Sequence, residues 1–396
     1  MGRSTPSGSA VGVPGTSVRG GVLISGGGTA GHVLPGLAVA RALVGRGVVD
    51  GPSSVHLVGS RRGIEKTLVP EAGFGLTVLP GRGLQRRLTP VNLMALWGLA
   101  VATVWALLLM IRRRPRVLLA TGGYASVPCG VAAILLRVPL VVAEQNAVPG
   151  AANSLLARFA RQAAVSFTDT GLPREVVTGN PVREEIRVVR SPAERLLARG
   201  RLGLDGRPFV LVFGGSLGAR RINWAVACAV RDWVGEPVVV HHVIGRRDWP
   251  DAVADPVRPG RNVDYRAVEY EDDMPTMLAA ADLVVCRAGA TTVAELCVIG
   301  LPAVLVPLPG APRDHQTLNA RRLADAGAAV LVADDELDGD RLREVVGGLL
   351  GDRASLGVMA AASLGIGRPD AADLVAELLA GMMAGRAAPR EGGDSG

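Results

Sequence analysis

The sequence predicts an α/β fold of two doubly wound, Rossmann-like domains facing a cleft. Three observations predict it. At 396 residues the chain exceeds one ordinary domain of roughly 150 residues. Short β-branched runs alternate with helical stretches in the order of parallel βαβ units. That alternation restarts once, after Arg183.

In the first half the strand-like runs are Gly21–Ser25, Val55–Gly59, Leu76–Leu79, Val117–Ala120, Leu140–Ala143 and Ala163–Ser166, each bounded by Gly or Pro. Helical stretches such as Leu34–Gly45 lie between them. A helix over Pro192–Leu202 opens the second half. The runs Phe209–Phe213, Val238–Ile244, Val263–Val268, Leu283–Cys286, Ala303–Pro307 and Ala329–Val332 follow. The expected organisation is a disordered Gly/Ser/Thr/Pro-rich tail over 1–20, domains over 21–184 and 185–365, a terminal helix over 366–380 and a loose tail over 381–396. That helix suits either half, and the halves join near Pro181–Ser191. In open parallel sheets ligands bind at the carboxyl ends of the strands, so two such edges facing each other suit two-substrate transfer chemistry.

Composition narrows the class. Hydrophobic residues make up 48%, enough for real cores. Lys and Arg total 43 against 36 acids, a net +7 that suits acidic substrates or an anionic surface. Aromatics are only 3%, too few for the stacking that single-stranded nucleic acid requires, and no recognition motif accompanies the charge. Cys129, Cys228, Cys286 and Cys297 are scattered without a CxxC pair, as in a reducing cytosol. No signal peptide is expected, because the first 20 residues lack a sustained apolar run. Leu93–Ile111 carries no charge and is followed by Arg112, Arg113, Arg114 and Arg116. It reads as a buried crossover helix or as an apolar helix lying on a membrane with an arginine rim. A span is disfavoured, because the strand that follows at once needs its place in the sheet.

Gly-rich or polar turns follow several strands. Gly26, Gly28 and Gly31 match GxGxxG, but a dinucleotide site also wants an acid after the next strand, and Asp50 lies before it. What survives is a helix start open to an anion, with His32 placed as a base for a hydroxyl. Thr121–Ser126 and Glu144-Gln145-Asn146 follow two more strands; N-capping is the commoner use of the latter type. Gly214, Ser216 and Gly218 match a nucleophile elbow, yet no acid and histidine follow in a usable arrangement, so a phosphate-binding turn is favoured. In Arg287–Glu295 the small residues and threonines suit a diphosphate, and Glu295 is placed to accept from ribose hydroxyls. Arg313–Asn319 forms a polar loop entering a helix. No His/Asp/Glu cluster has metal-ligand spacing, so no metal or cofactor is expected.

GGTAGH (Gly27–His32), GGYAS, EQN, GNPVR (Gly179–Arg183), GGSLGAR, CRAGATTVAE with GLPAVLVP, and DHQTLNA occur in this one order from about Gly21 to Leu379. The sequence resembles the MurG family, N-acetylglucosaminyltransferases of peptidoglycan synthesis and hence of cell shape and division. The resemblance implies a glycosyltransferase B-type fold and transfer of GlcNAc from UDP-GlcNAc, with inversion. The implied acceptor hydroxyl is C4 of MurNAc in undecaprenyl-diphosphate-linked pentapeptide, taking lipid I to lipid II. It implies a peripheral enzyme on the cytoplasmic face of the cell membrane, partnered by the anionic membrane surface, and admits other cell-wall synthesis proteins as partners. The first half would bind the acceptor and the second the donor. His32 and Glu144 would be catalytic. Thr29, Ala30, Gly31 and Asn146 would line the cleft, while Arg183, Ser216, Ala290, Thr291, Thr292, Val293, Ala294, Glu295 and Gln316 would contact nucleotide and GlcNAc, with Asn319 nearby. Three positions depart from the family pattern: Ala30 for glycine, Ala143 for histidine and Leu217 for glutamine. The rival readings are a UDP-GlcNAc 2-epimerase, another UDP-sugar transferase of the same fold, and a membrane scaffold without activity.

Overall fold

The computed structural model describes residues 20–61, 63–81, 90–215 and 218–385, with side chains from 97 onward in the third stretch. The expected tail over 1–19 and the end of the chain from 386 lie outside the described residues.

Among the described residues the first sheet is built from β1 (Val22–Gly26), β2 (Val55–Ser60), β3 (Gly75–Leu79), β4 (Val117–Gly122), β5 (Leu140–Glu144), β6 (Gln162–Val165) and β7 (Glu175–Val177). Its order is β3-β2-β1-β4-β5-β6-β7 with every pair parallel. Each crossover carries helix or loop: α1 (Ala30–Gly45), α2 (Glu65–Glu71), α3 (Pro90–Arg113), α4 (Ser126–Leu135) and α5 (Ala151–Leu156). The short helices α6 (Glu184–Val188) and α7 (Pro192–Leu202) lead to the second sheet, β8 (Phe209–Phe213), β9 (Val238–Val243), β10 (Val263–Val268), β11 (Leu283–Cys286), β12 (Ala303–Leu305) and β13 (Ala329–Leu331). Its order, β10-β9-β8-β11-β12-β13, is also parallel throughout. Around it lie α8 (Arg220–Arg231), α9 (Trp249–Ala254), α10 (Met274–Ala280), α11 (Ala290–Ile299), α12 (His315–Asp325), α13 (Gly339–Gly351) and α14 (Arg353–Ile366), and α15 (Ala371–Met383) ends the described chain.

Both sheets reverse direction beside their first strand, β1 next to β4 and β8 next to β11. A crevice opens at such a reversal, outside the carboxyl ends of the strands. Strands buried on both faces explain the continuous Val/Ile/Leu runs, and each sheet has a separate core on each side.

Four details differ from the sequence expectation. The helix expected from Leu34 starts at Ala30, because Thr29 opens it and Pro35 falls inside its second turn. β7 is an added edge strand of three half-exposed residues, too short for an alternating pattern to stand out. The final helix docks on the first half, with Val375, Ala376 and Leu379 in the core beneath α1. It also continues to Met383, so the chain is helical past Gly381, where a loose tail was expected.

The apolar segment is a crossover helix that is only half covered. Ala102, Ala106 and Met110, four residues apart, sink into the core on α4. Trp97, Val104, Trp105, Leu108 and Ile111 face outward, Trp97 at 74% exposure. Among the described residues no single helix is long and apolar enough to cross a membrane; one bent pair, Gly339–Gly351 with Arg353–Met383, passes on length and composition alone.

Candidate active site

The starts of α1 and α11, each following the first or fourth strand of its sheet order's switch, meet across the boundary between the halves. A Cβ on Gly31 would stand 3.9 Å from Thr291 Oγ1. Neither start is closed by a side-chain cap, and neither is α8's. By contrast α7, α10, α13 and α14 are capped by Ser191, Asp273, Asp338 and Asp352. Uncapped first-turn amides and the helix dipole favour an anion. Ala30 has no positive φ, so its methyl costs nothing in backbone strain where the family has glycine.

Buried polar atoms without partners gather at the same boundary. Among the described residues nine such side-chain atoms occur. Six of them, His32 Nδ1, Gln145 Oε1, Asn153 Oδ1, both of Asn180 and Thr291 Oγ1, lie along it. Each uncompensated group costs about 1–3 kcal/mol, so six in one place need a reason beyond stability. A space of roughly 30 Å³ remains between Gln145 and Asn180 of the first half and Ala290 and Val293 of the second.

His32 is held by the turns around it. Thr121 Oγ1 donates to its carbonyl at 3.0 Å, and glycine at 122 (φ +102) leaves room for the imidazole, which a Cβ would crowd at 2.9 Å. Burial pushes its pKa below the usual 6.5. Glu144 and the Gln145 side chain oppose that shift, while His315 from the second half adds to it. The ring is therefore neutral at pH 7, the form that accepts a proton.

Glu144 differs from the expectation of a catalytic carboxylate. Its Oε1 accepts from Asn146 N (3.0 Å) and Asn146 Nδ2 (3.2 Å), and its Oε2 from Gly150 N (3.0 Å) and Asn153 Nδ2 (2.8 Å). Four donors fill a 3% exposed carboxylate, which makes it the clamp of the 145–150 loop. Asn319, expected near substrate, is fully buried and buckles the halves together. Its Oδ1 accepts from Ala147 N at 2.9 Å, and its Nδ2 donates to Asn146 Oδ1 (3.2 Å) and Ala288 O (3.1 Å). Arg313 reaches Pro149 O across the same boundary.

On the donor side Arg183 Nε donates to Glu295 Oε1 at 2.8 Å, and among the described residues Oε2 accepts nothing. Burial raises the Glu295 pKa against the pull of Arg183. Ala290 and Thr292 are half-buried at the helix start, and Ala294 packs on the core edge. Val293 is 2% exposed and packs in the core with its amide spent on Gly289 O, and it borders the small space beside Gln145 and Asn180. Gln316 Oε1 accepts from Leu308 N, which leaves its amino group as the free end. Ser216 and Leu217 lie outside the described residues.

The histidines of β9 cannot serve a hydrolase. His242 has both ring nitrogens bonded, to Tyr265 Oη (2.8 Å) and Asn223 Oδ1 (3.0 Å), and burial lowers its pKa to about 3. His241 pairs with Glu271 at 2.9 Å. Among the described residues no group of three or more His, Cys, Asp or Glu could hold a metal ion.

Sequence reasoning missed Glu65. The acid wanted after β2 exists five residues beyond it, folded back to Ser60 and Gly28. It missed Asn153, Asn180 and Gly122 as well. Gly122 and Asn180 stood within noted motifs, and their roles needed the packing of the turns to appear.

Residues 22–165 match the glycosyltransferase family 28 N-terminal domain and residues 209–375 its C-terminal domain. A UDP-N-acetylglucosamine–N-acetylmuramyl-(pentapeptide) pyrophosphoryl-undecaprenol N-acetylglucosamine transferase of Acidothermus cellulolyticus is 42% identical over 360 residues, 90% of this chain and 96% of the relative. The protein of the same name from Desulforudis audaxviator is 38% identical over 90% of this chain and 97% of its own. The crystal structure of Acinetobacter baumannii MurG superposes with a TM-score of 0.73 at 30% identity, covering 91% of this chain and 99% of that one. A UDP-GlcNAc 2-epimerase of Neisseria meningitidis superposes at 0.63 with 12% identity, over 90% of this chain and 98% of its own, which shows a shared fold alone. With relatives of this identity along nearly its whole length, the chain belongs to glycosyltransferase family 28, among the MurG-type N-acetylglucosamine transferases.

Proposed function

We propose that this protein transfers GlcNAc from UDP-GlcNAc to the C4 hydroxyl of MurNAc in undecaprenyl-diphosphate-linked pentapeptide. The observation that carries the reading is the meeting of two uncapped helix starts amid six unpartnered buried polar atoms. The names of relatives 38–42% identical over nine-tenths of the chain supply the substrates.

In this reading the first half holds the acceptor and the second the donor. The neutral His32 ring takes the proton of the C4 hydroxyl as that oxygen bonds to C1 of GlcNAc from the face opposite UDP. The C1–oxygen bond to the diphosphate breaks, and UDP leaves with the electron pair. Its charge falls to the start of α11 at Ala290–Thr292 and to the turn that ends in Gly218–Arg220. The open oxygen of Glu295 takes the ribose hydroxyls, Arg183 holding its partner oxygen in place. Glu144 acts through the loop it clamps, which bounds the His32 pocket.

The outward face of α3, with Trp97, Trp105 and Leu108, together with the exposed Arg112 and Arg114 at its end, suits an anionic bilayer. The protein then works as a peripheral enzyme on the cytoplasmic membrane face, where its lipid acceptor resides.

The test is UDP release from UDP-GlcNAc with and without a lipid I analogue. Release that depends on the acceptor and yields a lipid-linked disaccharide supports the reading. UDP-ManNAc formed from UDP-GlcNAc alone establishes an epimerase instead, and vesicle binding without UDP release establishes a scaffold.

A further inference from the structure

Glu65 opens α2, yet its carboxylate turns back beneath the glycine turn ahead of α1. It is 1% exposed. Oε1 accepts from Ser60 N at 2.6 Å and Ser60 Oγ at 2.8 Å, and both oxygens lie 3.2 Å from Gly28 N. Three glycines clear its place: a Cβ on Gly27, Gly59 or Gly63 would collide with the Glu65 side chain. Gly28 itself sits at φ +93, a conformation the turn must be held in. Turns of this kind collect anions from solution through their amides. Here the protein supplies the anion.

We propose that Glu65 is a positioning residue of the transfer reaction. Its carboxylate stands in for a bound anion, fixes the Gly26–Thr29 turn, and through it sets Gly31 and His32 against the acceptor. The Gly28 amide is consequently spent, and the acceptor diphosphate is held by other groups. The proposal rests on the transferase reading, and it concerns the acceptor side alone. Among the described residues the carboxylate's hydrogen bonds go to Ser60 and Gly28, both in the first half.

The experiment is steady-state transfer with UDP-GlcNAc and a lipid I analogue, in wild type, Glu65→Ala, Gly63→Ala and the double variant. Displacing a reacting group by an ångström costs on the order of 100-fold. Glu65→Ala is expected to lose roughly 10- to 100-fold in kcat/KM for the acceptor, with the donor KM within about twofold of wild type. Gly63→Ala is expected to reproduce the loss, because its methyl evicts the carboxylate. In the double variant the methyl has nothing left to evict, so the loss matches Glu65→Ala alone. Added formate is expected to restore Glu65→Ala severalfold and to leave wild type unchanged. Acceptor kinetics unchanged in Glu65→Ala, or a double variant that loses the product of both single effects, overturns the proposal. Should Glu65→Ala not fold, Glu65→Gln of equal volume decides: a selective acceptor-side loss supports the role, and wild-type kinetics overturn it. A wild type that makes no lipid-linked product sinks the transferase reading instead.

Discussion

The two helix starts that meet at the boundary share small residues and a threonine around a glycine turn, Gly27-Gly28-Thr29-Ala30 and Ala288-Gly289-Ala290-Thr291, and differ in what fills them. Ahead of α1 the cradle already holds a carboxylate, that of Glu65, and the turn ends in a buried histidine. Among the described residues α11 has no side-chain cap, Thr291 Oγ1 is unpartnered, and Glu295 has one oxygen engaged. A glycine-rich turn therefore does not by itself mark an anion site. One of these already holds a carboxylate, and the other is the one the proposed reading leaves to the donor diphosphate. The carboxylates follow the same division. Glu65 and Glu144 are saturated by donors from the first half, whereas Glu295 leans on a single arginine.

The largest effect expected from that contrast is at His32. His32→Ala should lower kcat by roughly 10²- to 10⁴-fold, the usual contribution of a positioned base. With the pKa of His32 held below 6.5 by burial, the wild-type acid limb should lie below pH 6.5. Turnover of the variant within a few-fold of wild type, measured with a lipid I analogue, would break the contrast.

A smaller effect is expected on the open side. Thr291→Val removes one hydroxyl, and a hydrogen bond of about 0.5–1.5 kcal/mol translates to roughly 2- to 10-fold in donor kcat/KM. The acceptor KM should not move. A loss confined to the acceptor would place Thr291 on the wrong side of the boundary.

The smallest effect separates His32 from histidines that hold structure. Burial, with Arg113 nearby for His56, lowers His56 to about 4 and His242 to about 3. Unfolded, both titrate near 6.5, so below that pH the unfolded chain binds more protons than the native one. Stability is full above about pH 6.5 and falls as pH drops toward 4, by at most about 1.4 kcal/mol per unit for each group. Urea midpoints at pH 7.5 and 5 check this; equal midpoints contradict it.

Much of this was legible in the chain. The βαβ rhythm shows because each strand is a short β-branched run closed by Gly or Pro, and strands buried on both faces have no polar positions to blur them. The start of α1 was hidden by Pro35, which reads as a first-turn residue and lies deeper. Of the site, the helix-start motifs and His32 were visible because turn chemistry is local. Glu65 was not, since the carboxylate wanted at the end of β2 returns from five residues beyond it. Nor was the role of Asn319, whose three partners belong to loops that meet only when the halves dock. The half-covered state of α3 was beyond the pattern too, because a helix apolar all round does not tell which face its neighbours take.

The central claim is that donor and acceptor chemistry reside on opposite sides of one boundary, with Glu295 on the donor side and His32 on the other. Titrating UDP into wild type, His32→Ala and Glu295→Ala tests it most directly. His32→Ala should bind UDP as wild type does, while Glu295→Ala should bind roughly 10- to 100-fold more weakly, the loss of a hydrogen bond to a charged group worth about 1.5–3 kcal/mol. Weakened binding in His32→Ala with unchanged binding in Glu295→Ala would contradict it.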